Sequence, residues 1–200
     1  MRDTQKAYGC VSIALHWWVA ALVLSLIALG LLMQWTITFE DESLYLALYK
    51  VHISVGALLC VALVPRLVWR WFSGRPPPLE VRPTLRALSI VVQGLLLLTV
   101  VCQALSGLFA RWTALDWRRS SGAESLPFFG LFEIPSPLRQ HRPEWNRVAE
   151  NVHDWLAEVV MALLAVHILG ALKHALLDRP GSFRMVRGRN NGEGAQSSTR

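Results

Sequence analysis

The chain is poor in charge, and the charge it has avoids long stretches. Only 17% of its 200 residues are Asp, Glu, Lys or Arg, against about a quarter in a soluble domain. None occurs from Ala7 to Phe39 or from Ala87 to Ala110. Both gaps exceed the roughly 20 apolar residues that cross a bilayer, which excludes a soluble globular chain. Cysteine is scarce as well. Cys10, Cys60 and Cys102 lie far apart in apolar sequence, which excludes a disulfide framework or a cysteine zinc site. The net charge of +6 would suit nucleic acid on a soluble protein. Here it belongs to membrane topology, and nucleic acid is not an expected partner.

What remains is an integral membrane protein of one domain, residues 1–187, followed by a polar tail at 188–200 whose Asn, Gly, Gln, Ser and Thr read as disordered. Four spans are predicted, at about 11–33, 46–69, 85–109 and 152–177. The first is too long for a secretory signal core, and no small-x-small cleavage site follows it before Trp35. Lys50 and Arg66 sit near the ends of the second, where long side chains snorkel to the interface. Arg75-Pro76-Pro77-Pro78 is a stiff connector after that span. The segment from about Arg111 to Asn151 is the longest outside the membrane, and its Leu126–Phe132 stretch (LPFFGLF) is apolar enough to lie on the membrane surface. Most of the nine tryptophans fall near span ends, as in an interfacial belt.

An even number of spans puts both termini on one side. That side carries 13 of the 20 basic residues, including Arg66, Arg70, Arg82, Arg86, Lys173 and Arg179, but only four of the 14 acids. Basic loops stay in the cytoplasm, so both termini are expected there. The opposite side carries an acidic excess.

The chemistry lies in six histidines: His16, His52, His141, His153, His167 and His174. Five fall within or at the ends of spans, where ionisable groups are costly and default to a functional reading. His153 and His167 are 14 residues apart. That spacing is about 40° short of four full turns, so they share a helix face, separated by roughly 21 Å along the axis. His52, early in a span that starts outside, matches His153 in depth. His16, early in a span that starts inside, matches His167. Two pairs at two depths follow from topology. Paired neutral imidazoles from neighbouring helices suit a haem iron with two axial ligands, whereas zinc would want four ligands at one depth. Gly30, Gly56 and Gly170 lie on or near the histidine faces; their missing side chains fit either porphyrin approach or close helix packing. No Cys-x-x-Cys-His occurs, so any haem is held noncovalently. His141, in the polar Arg139–Pro143 segment, is expected to be an exposed surface histidine and no ligand.

These residues resemble the bacterial cytochrome b561 group, which also includes the cytochrome b subunits of nickel–iron hydrogenases. The resemblance runs from about Tyr8 to Arg179. It rests on ALHWWVA around His16, YKVHISVGALLCVALVPRLVWR around His52, FFGLFEIP in the outer loop, and VHDWLAEVVMALLAVHILGALKHALL with His153, His167 and His174. It implies an all-α membrane protein: a four-helix transmembrane bundle binding two haems b, with His16, His52, His153 and His167 as axial ligands. It also implies electron exchange with membrane quinone in a respiratory chain of the bacterial inner membrane. Many members carry a histidine early in the third span, where this chain has Gln93. One branch takes electrons from superoxide at a positively charged outer face; the acidic excess here does not steer an anion. The resemblance leaves open a dihaem carrier between an external donor and quinone, and a haem-bearing anchor subunit for a partner dehydrogenase or hydrogenase. A haem-free structural or transport bundle is the reading from outside that class. His174 follows His167 by seven residues, continuing its face by about 10.5 Å toward the cytoplasm. It is expected to be an interfacial histidine exposed to water or bonding a haem propionate, or to donate to a quinone carbonyl.

Overall fold

The structure, a computed structural model, describes residues 8–73, 82–116, 122–123, 125–138 and 141–177. The proline connector at 75–78 and the tail at 188–200 lie outside the described residues. Four helices are long and apolar enough to cross a membrane. They are α1 (Cys10–Thr38), α2 (Glu42–Ser73), α3 (Pro83–Thr113) and α4 (Pro143–Leu177).

Each helix outruns its apolar stretch, because local signals set the ends. Asp41 stands before α2, and its Oδ1 accepts the Leu44 N–H and the Ser43 hydroxyl, both at 3.0 Å, which closes an N-terminal cap. Those two donors hold the Asp41 carboxyl below its ordinary range, so the cap stands at neutral pH and is lost as acid protonates it. α3 starts on Pro83, a residue pre-set for the first turn. α4 starts at Pro143 with Glu144 in its first turn, nine residues before the apolar run. A carboxylate there complements the helix dipole.

Packing divides the bundle into two antiparallel helix pairs. α1 lies closely against α2 and α3 against α4, while α2 and α3 join the pairs more sparingly. The core they share is aliphatic: Leu59 and Leu63 from α2, Val100 and Ala104 from α3, and Val160 from α4, with Val19, Leu22 and Leu26 of α1 against them. Apolar side chains such as Leu31, Val61, Leu98 and Leu169 point outward, as a bilayer-facing surface requires.

Between α3 and α4 the chain forms two small antiparallel hairpins. Leu115–Asp116 (β1) pairs with Gly122–Ala123 (β2), and Leu126–Phe128 (β3) pairs with Phe132–Ile134 (β4). The second hairpin carries the LPFFGLF stretch and docks it on α2. Leu126 is 2% exposed. The Ser54 hydroxyl of α2 accepts the Phe129 N–H at 2.9 Å and lies 3.0 Å from the Pro127 carbonyl. A hairpin satisfies its own backbone groups and leaves only its tip to be placed. That tip, Phe129, Leu131 and Phe132, is exposed.

Candidate functional site

The histidines of the spans come from different helix pairs. His16 lies on α1, His52 on α2, and His153 and His167 on α4. The structure brings the His16 and His167 rings to a centroid separation of 6.4 Å. It brings His52 and His153 to 6.2 Å. All four are half-buried. Val160 lies seven residues from each α4 histidine, and Leu59 seven from His52, so the aliphatic core fills the space between the two levels. Both pairs sit across the seam where α4 meets the α1–α2 pair.

The surroundings of each ring differ. His153 rests in a socket on α3. Its Nδ1 is 3.1 Å from the Gln103 carbonyl and 3.2 Å from the Ser106 hydroxyl. The carbonyl can only accept, so Nδ1 carries the proton and Nε2 the lone pair. The Gln103 side-chain amide donates to that lone pair at 3.3 Å. Gly107 floors the socket: a Cβ built there would meet His153 Cε1 at 2.7 Å. His52 has a buried Nδ1 with no hydrogen-bond partner. His16 faces a cation instead. Arg66 Nη2 lies 3.3 Å from His16 Nδ1, and its Nη1 donates to the Ser12 carbonyl at 3.2 Å. Trp69 donates to the Ser12 hydroxyl at 2.8 Å, which ties the start of α1 to the end of α2.

One expectation changes. His141 is not a free surface histidine: it is half-buried, and its Nδ1 donates to the Thr113 carbonyl at 2.7 Å. With Asn146 donating to the Ala110 carbonyl at 2.9 Å, it ties the start of α4 to the last turn of α3, where the Thr113 carbonyl, without a partner inside the helix, also accepts the Arg142 N–H at 3.3 Å. The glycines also divide. A Cβ at Gly30 would make ordinary contact with His52 at 4.0 Å, while Gly56 and Gly170 face open space. The glycine that touches a histidine is Gly107. His174 falls within α4, and its side chain lies outside what the structure describes.

The donor sets fit haem iron. A metal–imidazole bond is about 2 Å and the ring centre lies about 1.2 Å behind the nitrogen, so opposed ligands on one iron stand about 6.4 Å apart. The observed separations of 6.4 and 6.2 Å match that span. Among the described residues no three His, Cys, Asp or Glu side chains gather as a metal site; each site is a pair. The Gln103 amide has to turn aside for His153 Nε2 to take a metal.

Residues 7–188 match the family model for prokaryotic cytochrome b561. The chain belongs to that family. Cytochrome b561 homolog 2 of Escherichia coli (strain K12) is 29% identical over 192 residues, 96% of either chain. Membership makes this a multi-pass bacterial membrane protein of a haem-b-binding, electron-transferring family. Within cytochrome b561, the histidine pairs of α1, α2 and α4 are the candidate haem positions.

Proposed function

We propose that this cytochrome b561 binds two haems b and carries electrons from a donor on the periplasmic side to the membrane quinone pool, as part of a respiratory chain. His52 and His153 hold the outer haem, and His16 and His167 the inner one. The observation that carries this reading is the pairing of imidazoles at two depths, with ring centroids 6.4 and 6.2 Å apart and each pair bridging the two helix pairs.

A haem held there by the two imidazoles would supply one-electron transfer. The chain's own residues supply the rest. α4 gives one histidine to each level, about 21 Å apart along its axis, so a single rigid element fixes the distance between the two sites. The aliphatic core around Leu59, Val100 and Val160 keeps water out of the interval. The Gln103 carbonyl and the Ser106 hydroxyl fix the His153 tautomer with Nε2 ready to ligate. His174, farther along the His167 face, is the proposed contact for a propionate or a quinone carbonyl.

The test is haem counting on the purified chain and on four alanine variants. Pyridine haemochrome analysis is expected to give two haems per chain, removable by acid–acetone. His16→Ala and His167→Ala should lose or disturb one haem, and His52→Ala and His153→Ala the other. A colourless protein, or His16→Ala and His153→Ala acting on the same haem, would overturn the reading. In His174→Ala both haems should stay while exchange with a quinone analogue slows.

A further inference from the structure

We infer that Arg66 makes the His16–His167 site the more readily reduced of the two, so that electrons run from the His52–His153 site toward the end that carries the termini. The inference rests on both pairs being axial ligands. It comes from how the second nitrogen of each ligand is wired, since groups behind a ligating imidazole tune the metal in front of it.

At His153 the second nitrogen donates to a backbone carbonyl and to the Ser106 hydroxyl. Both acceptors push electron density into the ring and favour the oxidised metal. Asp154 is the next residue along the helix, and its carboxylate acts the same way. At His16 the second nitrogen faces a guanidinium at 3.3 Å. A positive charge there favours the reduced metal, which carries one positive charge fewer. The charge does not depend on the bond to His16. When Nδ1 carries a proton and cannot accept, Arg66 still donates through Nη1 to the Ser12 carbonyl at 3.2 Å, so the cation stays at the His16 level.

Among the described residues no carboxylate stands at the His16–His167 level to offset this asymmetry. α1 carries no charged residue at all, and α3 none between Ala87 and Ala110. α4 is uncharged from Val159 to Leu172 and then presents Lys173, while α2 adds Arg70 one turn beyond Arg66. Near the other pair, Glu150, Asp154 and Glu158 share α4 with His153. Among the described residues the cations at that end are Lys50, Arg142 and Arg147, all exposed, and Arg111; Arg147 stands six residues before His153 on α4, with Glu150 between them. Arg111 lies eight residues beyond Gln103, about 12 Å along α3, and donates to the Ser125 carbonyl. The transfer itself balances simply. One electron leaves the His52–His153 site, which is oxidised, and reduces the His16–His167 site, with no bond made or broken.

The experiment is a spectroelectrochemical titration of the full chain in lipid nanodiscs, its two one-electron waves assigned with His52→Ala, which retains only the His16–His167 site. That site should show the higher potential. Arg66→Gln should lower its wave by at least tenfold in the ratio of reduced to oxidised, about 59 mV for one electron, and leave the other wave in place. Arg66→Lys, which keeps the charge, should restore it. Asp154→Asn should raise the wave of the His52–His153 site by less, because the carboxylate is exposed. The inference is overturned if the wild-type waves come in the reverse order, or if Arg66→Gln leaves its wave unmoved with both haems bound. Should Arg66→Gln fail to hold haem, the wild-type order and the Asp154→Asn shift decide alone. A protein that binds no haem would instead sink the proposed function.

Discussion

Gly107 has no side chain where His153 needs room, and the three nearest atoms to a Cβ built there all belong to the His153 ring, at 2.7, 3.0 and 3.5 Å. The ring cannot slide away freely, because its Nδ1 is held by the Gln103 carbonyl and the Ser106 hydroxyl. Gly107→Ala should therefore cost about 1–3 kcal/mol as overpacking and disturb the haem at the His52–His153 level. The other haem should stay. Gly94→Ala is the control, since a Cβ there meets nothing within 4 Å. Haem counts and redox titration of the two variants check this, and equal behaviour of both would refute the socket. The four span histidines were legible in the sequence, because charged and imidazole side chains are rare in apolar runs and a spacing of 14 fixes a helix face. Gly107 was not, because its contact depends on how α3 is rotated against α4. A signal existed: Gln103, Ser106 and Gly107 form one helical stripe of polar and small residues in an otherwise apolar span.

At the scale of elements, spans were easier to read than the segments joining them. Apolar runs mark where a helix must be buried in lipid, but not where it ends, and α4 begins nine residues early on Pro143 and Glu144. The loop sequence LPFFGLF reads as apolar surface, whereas period-two pairing of Leu126 with Ile134 and Phe128 with Phe132 makes it a hairpin. Ser54 decides where that hairpin docks. Its hydroxyl is 1% exposed at the residue level and meets the Phe129 N–H, the Pro127 carbonyl and the Lys50 carbonyl of its own helix. Lys50 and Ser54 flank His52, so the hairpin stands beside the level of the His52–His153 pair. Ser54→Ala should leave the Phe129 N–H and the Pro127 carbonyl without their partner, at about 1–3 kcal/mol. Faster amide exchange across residues 126–134 with α1 unaffected is the expected result; unchanged exchange there would mean that Arg111 and Leu126 hold the hairpin without Ser54.

For the whole molecule, function depends on which end faces which compartment, since the two histidine levels differ chiefly in the charges around them. Four spans put both termini at one end of the bundle and the hairpins at the other. The end with the termini carries 13 of the 20 basic residues and the hairpin end ten of the 14 acids. Lys and Arg in short loops resist translocation, and each therefore biases the termini toward the cytoplasm. In the proposed orientation Arg66 lies in the cytoplasmic half of the bundle, which ties orientation to the proposed electron direction: donor at the hairpin end, acceptor toward the cytoplasm. Fusing a fluorescent protein to the C-terminus should give fluorescent cells, and fusing alkaline phosphatase there should give an inactive enzyme. Phosphatase inserted in the segment between β1 and β2 should be active, because it would fold in the oxidising periplasm. The reverse pattern would invert the bundle, place Arg66 near the periplasm, and require the electrons to leave the cell rather than enter its membrane pool from outside.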